Sequence, residues 1–241
     1  MLKPKLSRKK QKETALLHIT DTHAGKLTDT FNISVLGDRL LQVLSAVDEI
    51  TQLRRNSAAI DEIVVLLGGD LLEGQLIFPA QQFSTDIDIV EQCLKQGPEL
   101  YANMIIPLAQ QFPAVRVVAV NGNHGRTSKD GSGRFNADAI LYEVTRGLVN
   151  KVASNVTFDL PLDRSPGDDW YAHTEIDGHG IVLIHGDFKA GPNNQMGFPW
   201  YAIGRRTAHW VSVLPKFDYL YVGHNHSFAA FDVAGKTVYA T

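Results

Sequence analysis

Short apolar runs alternate along the chain with longer stretches in which apolar residues recur at three and four, the signatures of strand and helix. Thr14–Thr20 (TALLHIT) predicts a first strand that ends in the polar loop DTHAGK. Ile33, Leu36, Leu40, Leu44, Val47, Ile50 and Leu53 form the stripe of an amphipathic helix over 33–55. Glu62–Leu67 (EIVVLL) predicts a buried strand closed by Gly68-Gly69-Asp70. Val115–Val120 (VRVVAV) predicts another, closed by Asn121-Gly122-Asn123-His124-Gly125. Between these two strands, 86–111 reads as helical and kinked at Gly97-Pro98, where proline removes a ladder donor.

Further on, 128–133 (SKDGSG) predicts an exposed loop before a helix over 135–151. Strands follow at 155–159, 171–177 and 180–185, the last two joined by a tight turn at Asp177-Gly178. The Gly-, Pro- and Asn-rich segment 188–199 is expected to line a site. A helix over 201–214 leads to a strand at 219–222 that ends in Gly223-His224-Asn225-His226. The final hairpin, 227–241, ends on apolar residues and predicts a terminal edge strand. Early strand–helix alternation implies parallel βαβ units, and the later hairpins add antiparallel pairing. The fold class is therefore α/β, with one mixed domain over 14–241.

Charge adds one feature. The net charge is −3, but residues 1–12 hold six bases (Lys3, Lys5, Arg8, Lys9, Lys10, Lys12) and no acid. The remainder keeps 17 bases against 26 acids, a balance of −9. Residues 1–13 thus read as a basic, flexible arm on an acidic body, a solvated terminus or a contact for nucleic acid. Two dications would offset part of the body's charge where a phosphate would sit. No apolar run reaches the roughly 18 residues of a membrane span, and the opening residues lack the apolar core of a signal peptide. The single cysteine, Cys93, cannot form an internal disulfide, which fits a cytoplasmic setting.

The positions of the polar residues carry the chemistry. Five apolar runs end in loops that supply Asp21 and His23, Asp70, Asn123 and His124, His185, and His224 and His226. Strand ends along one edge of an α/β sheet are where ligands converge. Asp-x-His and His-x-His put both side chains on one side of an extended segment, within reach of one ion or two adjacent ions. Carboxylate and amide oxygens mixed with imidazoles suit Mn, Fe or Zn better than a calcium cage or a thiolate site.

In order, DTH, GGD, GNH, the H of HGD, and GHNH resemble the signature of the calcineurin-like metallophosphoesterases, over Asp21 to His226. The chain looks most like the nuclease branch, the nuclease subunits of double-strand-break repair and their small phage-type relatives. The resemblance implies two mixed sheets packed as a sandwich between helices. It implies a first metal on Asp21, His23 and His226, a second on Asn123, His185 and His224, and Asp70 bridging both. It also implies two-metal hydrolysis by a shared, acidified water, with His124 contacting the phosphate and aiding the leaving group. Two motifs depart from the family's usual form. GNH is followed by Gly125 and Arg126, and Arg126 is either a phosphate contact or a solvated loop residue. GGD continues Leu71-Leu72-Glu73-Gly74, where Glu73 takes the place of an acid that orients a ligand histidine.

Other residues match no motif. His18, His173, His179 and His209 read as packing or surface residues, and Asp187 as an orienting acid or a loop acid. Trp170, Phe198, Trp200 and Tyr201 offer stacking surface for a base, although aromatics near Gly-Pro loops more often pack. Manganese is the expected metal, with Fe, Zn or Mg as alternatives. Arg126, Lys129 and Arg134 suit a phosphate backbone, so the function expected first is hydrolysis of nucleic-acid phosphodiesters. A small-molecule or protein phosphatase on the same metals is the alternative, and a non-catalytic scaffold a third.

Overall fold

The computed structural model describes residues 10–77, 80–128, 133–187 and 199–241. Its elements in chain order are β1 (Gln11–Ile19), α1 (Ile33–Arg55), β2 (Ala58–Leu67), α2 (Ile89–Leu94), α3 (Gln96–Gln111), β3 (Ala114–Ala119), α4 (Ala137–Val149) and β4 (Val156–Asp159). They continue with β5 (Tyr171–Ile176), β6 (His179–Ile184), α5 (Trp200–Val213), β7 (Tyr219–Val222), β8 (Ala229–Val233) and β9 (Lys236–Ala240). Strands β1-β2-β3-β4 form one sheet, parallel throughout. Strands β5-β6-β7-β9-β8 form a second, mixed sheet.

Side-chain alternation in the strands assigns each face. Val64 and Leu66 of β2, with Val118 and Val120, pack against Ala172, Ile176, Ile181 and Leu183 of the second sheet. The intervening Ile63, Val65 and Leu67 turn to the other face, onto α1, α3 and α4 through Leu40, Ile105 and Leu141. In the same way Val182 and Ile184 of β6 face α5 through Ile203 and Trp210. Both faces of β2 and of β6 are thus covered, which is why their sequences read as continuous apolar runs. The expected sandwich with flanking helices is what forms.

Three local expectations change. The helical break falls at Lys95 (φ −130°, ψ −97°), not at Gly97-Pro98. Pro98 instead lies in the first turn of α3, where no intrahelical donor is missed. The last strand is not an edge: β9 pairs with both β7 and β8, and β8 is the edge. Val238 and Ala240 of β9 are fully buried, whereas β8 exposes alternate residues. Strand β1 begins at Gln11, earlier than expected, and Thr14 is held by Asp177, whose Oδ2 accepts from the Thr14 amide at 2.9 Å. Residues 1–9 of the basic arm lie outside the described residues, as do most of the 128–133 loop, including Lys129, and 188–198, including Phe198. Among the described residues, no helix is long and apolar enough to cross a membrane.

Leu66 is fully buried between the sheets. Leu66→Ala is expected to lower the free energy of unfolding by about 2–5 kcal/mol. Urea denaturation checks this, and a loss well under about 1 kcal/mol would contradict the inter-sheet packing described.

Candidate metal centre

The loops after β1, β2, β3, β6 and β7 meet at the carboxyl edge of the parallel strands. Backbone pairing continues past the strands and fixes their register: the amides of Asp21 and His23 donate to the carbonyls of Gly69 (3.0 Å) and Asp70 (3.1 Å). The backbone then turns sharply. Asp21, His23, Asp70, His224 and His226 all have φ between 48° and 71°. Left-handed backbone costs a non-glycine residue about 1–2 kcal/mol. The other non-glycine residues with positive φ, Asp177 and Ala234, sit in the two-residue hairpin turns Asp177-Gly178 and Ala234-Gly235, where that geometry is ordinary. Elsewhere among the described residues this strain falls only on the motif residues, the kind of place where functional sites store it. Two motif glycines serve close approach. A Cβ on Gly122 would lie 2.0 Å from Asp70 Oδ1, and one on Gly223 would lie 2.2 Å from Thr20 Oγ1.

The sequence-predicted ligands gather into two groups, Asp21/His23/His226 and Asp70/His185/His224. In the first, His226 Nε2 lies 3.2 Å from Asp21 Oδ1 and 3.2 Å from His23 Nε2. Asp21 Oδ2 is already used, accepting from the His224 amide at 2.8 Å and the Thr20 hydroxyl at 2.6 Å. Asp21 Oδ1 is buried with no hydrogen-bond donor. In the second, His185 Nε2 lies 3.1 Å from Asp70 Oδ2 and 3.0 Å from Asn123 Oδ1. His185 Nδ1 donates to the Gly68 carbonyl at 2.9 Å, which leaves Nε2 as the lone-pair nitrogen of the neutral ring.

With its Nδ1 proton on the Gly68 carbonyl, buried His185 turns its Nε2 lone pair to the Asp70 and Asn123 oxygens, which repel it unless a positive charge stands among them. A proton on Nε2 supplies that charge. Burial opposes a charge on His185, but the Asp70 carboxylate outweighs it and raises the imidazole to about 9. The same donors fit a divalent cation: mixed imidazole, carboxylate and amide oxygen, with His23 and His185 held from their far nitrogens.

A second layer orients these groups. His23 Nδ1 stands 2.9 Å from Glu73 Oε2, as expected of that acid. His124 Nδ1 lies 3.0 Å from the Glu73 carbonyl and 2.8 Å from Gln81 Nε2, and its amide donates to Asp70 Oδ1 at 2.7 Å. Burial opposes a charge on His124, but Glu73 and Asp70 raise its pKa. The His124 ring packs edge-on against His23 at 4.4 Å, inside the constellation.

Arg126, partly exposed, pairs with Asp187. Among the remaining histidines, His18 contacts Tyr221 edge-on at 5.3 Å, and burial lowers its pKa to about 4. His173 lies 3.0 Å from the Lys216 carbonyl and His179 lies 3.3 Å from Asp218, so both are peripheral. Trp200 packs on Phe231 at 4.9 Å.

Three supporting residues escaped the sequence reading. Asp138, fully buried, accepts from the amides of Asp70 (3.0 Å) and Gly122 (2.8 Å) and so pins two motif loops together. Asn136 caps α4 by accepting from the Asp138 amide at 2.9 Å, and donates to the Gly122 carbonyl at 2.7 Å. An aspartate among the buried Ala137, Ala139 and Leu141 was the available signal. Gln81, in a 3₁₀ turn (Gln81–Phe83), contacts both Glu73 and His124, and its polar surroundings give no such signal.

No family model matches the chain, and no curated protein does. Among solved structures it is similar to a hypothetical protein from Pyrococcus horikoshii, at 13% identity over 94% of this chain and 75% of that one, with a TM-score of 0.43. A novel archaeal phosphodiesterase aligns at 10% identity over 95% of this chain and 82% of its own, with a TM-score of 0.43. The phosphopantetheinyl hydrolase of Mycobacterium tuberculosis aligns at 12% identity over 95% and 89%, with a TM-score of 0.40. At these identities and TM-scores the likeness assigns this chain no activity, and the chemistry rests on its own residues.

Mn²⁺ at about a hundred times its Kd should raise the melting temperature by roughly 5–10 °C over the chelated protein. Scanning calorimetry should find that rise abolished or much reduced in Asp70→Asn, and an undiminished rise would contradict Asp70 as a ligand. Asp138→Ala leaves two buried amides unsatisfied and should cost about 2–6 kcal/mol. Chemical denaturation tests this, and a loss below about 1 kcal/mol would show that Asp138 does not pin the loops.

Proposed function

We propose that this chain is a two-metal phosphodiesterase that hydrolyses nucleic acid. The observation that carries the diester reading is a pair of clefts, each abutting a different ligand group. One, of about 560 Å³, is lined by Asp21, His23 and His226 together with Lys26 and Arg39. The other, of about 790 Å³, is lined by His185 and Gly122 together with Arg126, Arg206, Asp169 and Asp187. A phosphodiester has an ester substituent on each side of phosphorus, and each cleft offers room for one of them. A phosphomonoester would need only one, so the phosphatase reading leaves a cleft without a use.

Asp21, His23 and His226 would hold one divalent ion, and Asn123, His185 and His224 the other, with Asp70 shared. Manganese is the ion proposed for both positions. Bound there, the two ions would supply Lewis acidity and a water acidic enough to ionise near neutral pH. Glu73 keeps the His23 proton on Nδ1 and its Nε2 lone pair toward the site. His124 is held through Nδ1, and its raised pKa favours the doubly protonated ring, whose Nε2 proton would go to a phosphoryl or leaving-group oxygen. Its amide, bonded to Asp70 Oδ1, couples its position to the shared ligand.

Mn²⁺-dependent cleavage of end-labelled single-stranded DNA is the test. Asp70→Asn and His185→Ala should abolish turnover. His124→Ala should lower kcat by roughly 10²–10⁴ while keeping the metal-dependent rise in melting temperature. Hydrolysis of a chromogenic diester with DNA untouched would keep the phosphodiesterase and sink the nucleic-acid substrate. Loss of metal binding in His124→Ala would make that residue a ligand rather than an acid.

A further inference from the structure

Four exposed aromatics among the described residues (Phe83, Phe135, Trp170 and Phe228) stand on segments that adjoin strand ends at the metal edge. Phe83 follows β2 and Phe135 follows β3, whereas Trp200, at the start of α5, packs on Phe231 in the middle of β8. Trp170 directly precedes β5, whose Tyr171 pairs with Ile184 at the end of β6. Phe228 directly precedes β8, whose Ala229 pairs with Ala240 beside Val222 at the end of β7. Exposed aliphatic residues, by contrast, are scattered mostly over the helices, as on any soluble protein. Rings concentrated at the rim of one site mark a ligand that presents flat apolar faces.

Trp170 is the ring best placed to meet such a ligand. It lines the larger cleft together with His185, Arg126 and Arg206, and it is 43% exposed. Its indole is propped from behind, 6.0 Å from Trp210 and 4.8 Å from Tyr171, so its orientation is fixed before any ligand arrives. An indole face and the Arg206 guanidinium in one cleft beside a phosphoryl site match two parts of a nucleotide, base and backbone phosphate.

We propose that this cleft takes an unstacked nucleobase of single-stranded nucleic acid, stacked on Trp170, next to the phosphate at the metal centre. The proposal rests on the phosphodiesterase reading only for what occupies the metals. Bases inside a duplex have both faces covered by their neighbours, so the cleft selects single strands or frayed ends.

Binding tests it apart from chemistry. End-labelled oligo(dA) and an abasic phosphodiester oligomer of equal length are titrated with Mn²⁺-loaded His124→Ala protein, in which turnover is slow, and followed by anisotropy. Oligo(dA) is expected to bind more tightly than the abasic chain. Adding Trp170→Ala should weaken oligo(dA) binding about tenfold and erase most of the preference, and Trp170→Phe should restore it. Equal binding of the two oligomers, or a preference that survives Trp170→Ala, overturns the proposal. Binding of neither overturns it as well, leaving the aromatic rim to a protein partner. Cleavage by the otherwise unaltered protein judges the enzyme separately. Cutting both oligomers alike sinks the cleft and spares the phosphodiesterase, whereas base-dependent binding without cutting does the reverse.

Discussion

The site is organised around the lone pair of His185 Nε2, which faces Asp70 Oδ2 and Asn123 Oδ1 at 3.0–3.1 Å. In a buried environment such contacts are repulsive without a cation among them. Across the site His226 Nε2 lies 3.2 Å from both His23 Nε2 and Asp21 Oδ1. Much of the surrounding structure holds that arrangement in place. The far nitrogens of His23 and His185 are taken by Glu73 and the Gly68 carbonyl, so neither ring can rotate away without losing a partner. Five of the candidate ligands sit in left-handed backbone, and glycines let the loops approach within contact of one another. The cost of that strain is offset by the sandwich beneath, whose strands are covered on both faces.

Much of this was legible in the sequence because it is written locally. Regular spacing identifies α1 and β7, and an unbroken apolar run identifies β2, which is covered on both faces. The candidate ligands stand out because each follows an apolar run directly, and the structure brings all seven together. What escaped depends on contacts between distant segments. Asp138 lies sixty-eight residues from Asp70, and only the folded chain puts its carboxylate beneath both loops. Gln81 reaches His124 across forty-three residues from a stretch without periodicity. The place of β9 in the sheet was missed for the same reason, because a terminal hairpin does not state which of its strands meets β7.

The two clefts and their rim extend the chemistry to a substrate. Each ligand group opens on a cleft, and four exposed rings stand at the same edge.

The central claim is two cations held by two groups of side chains, and anomalous diffraction from Mn²⁺-soaked crystals tests it most directly. Two separate peaks are expected, one among Asp21, His23 and His226 and the other among Asn123, His185 and His224, both within reach of Asp70. A single peak, or peaks away from these side chains, would contradict a two-metal centre.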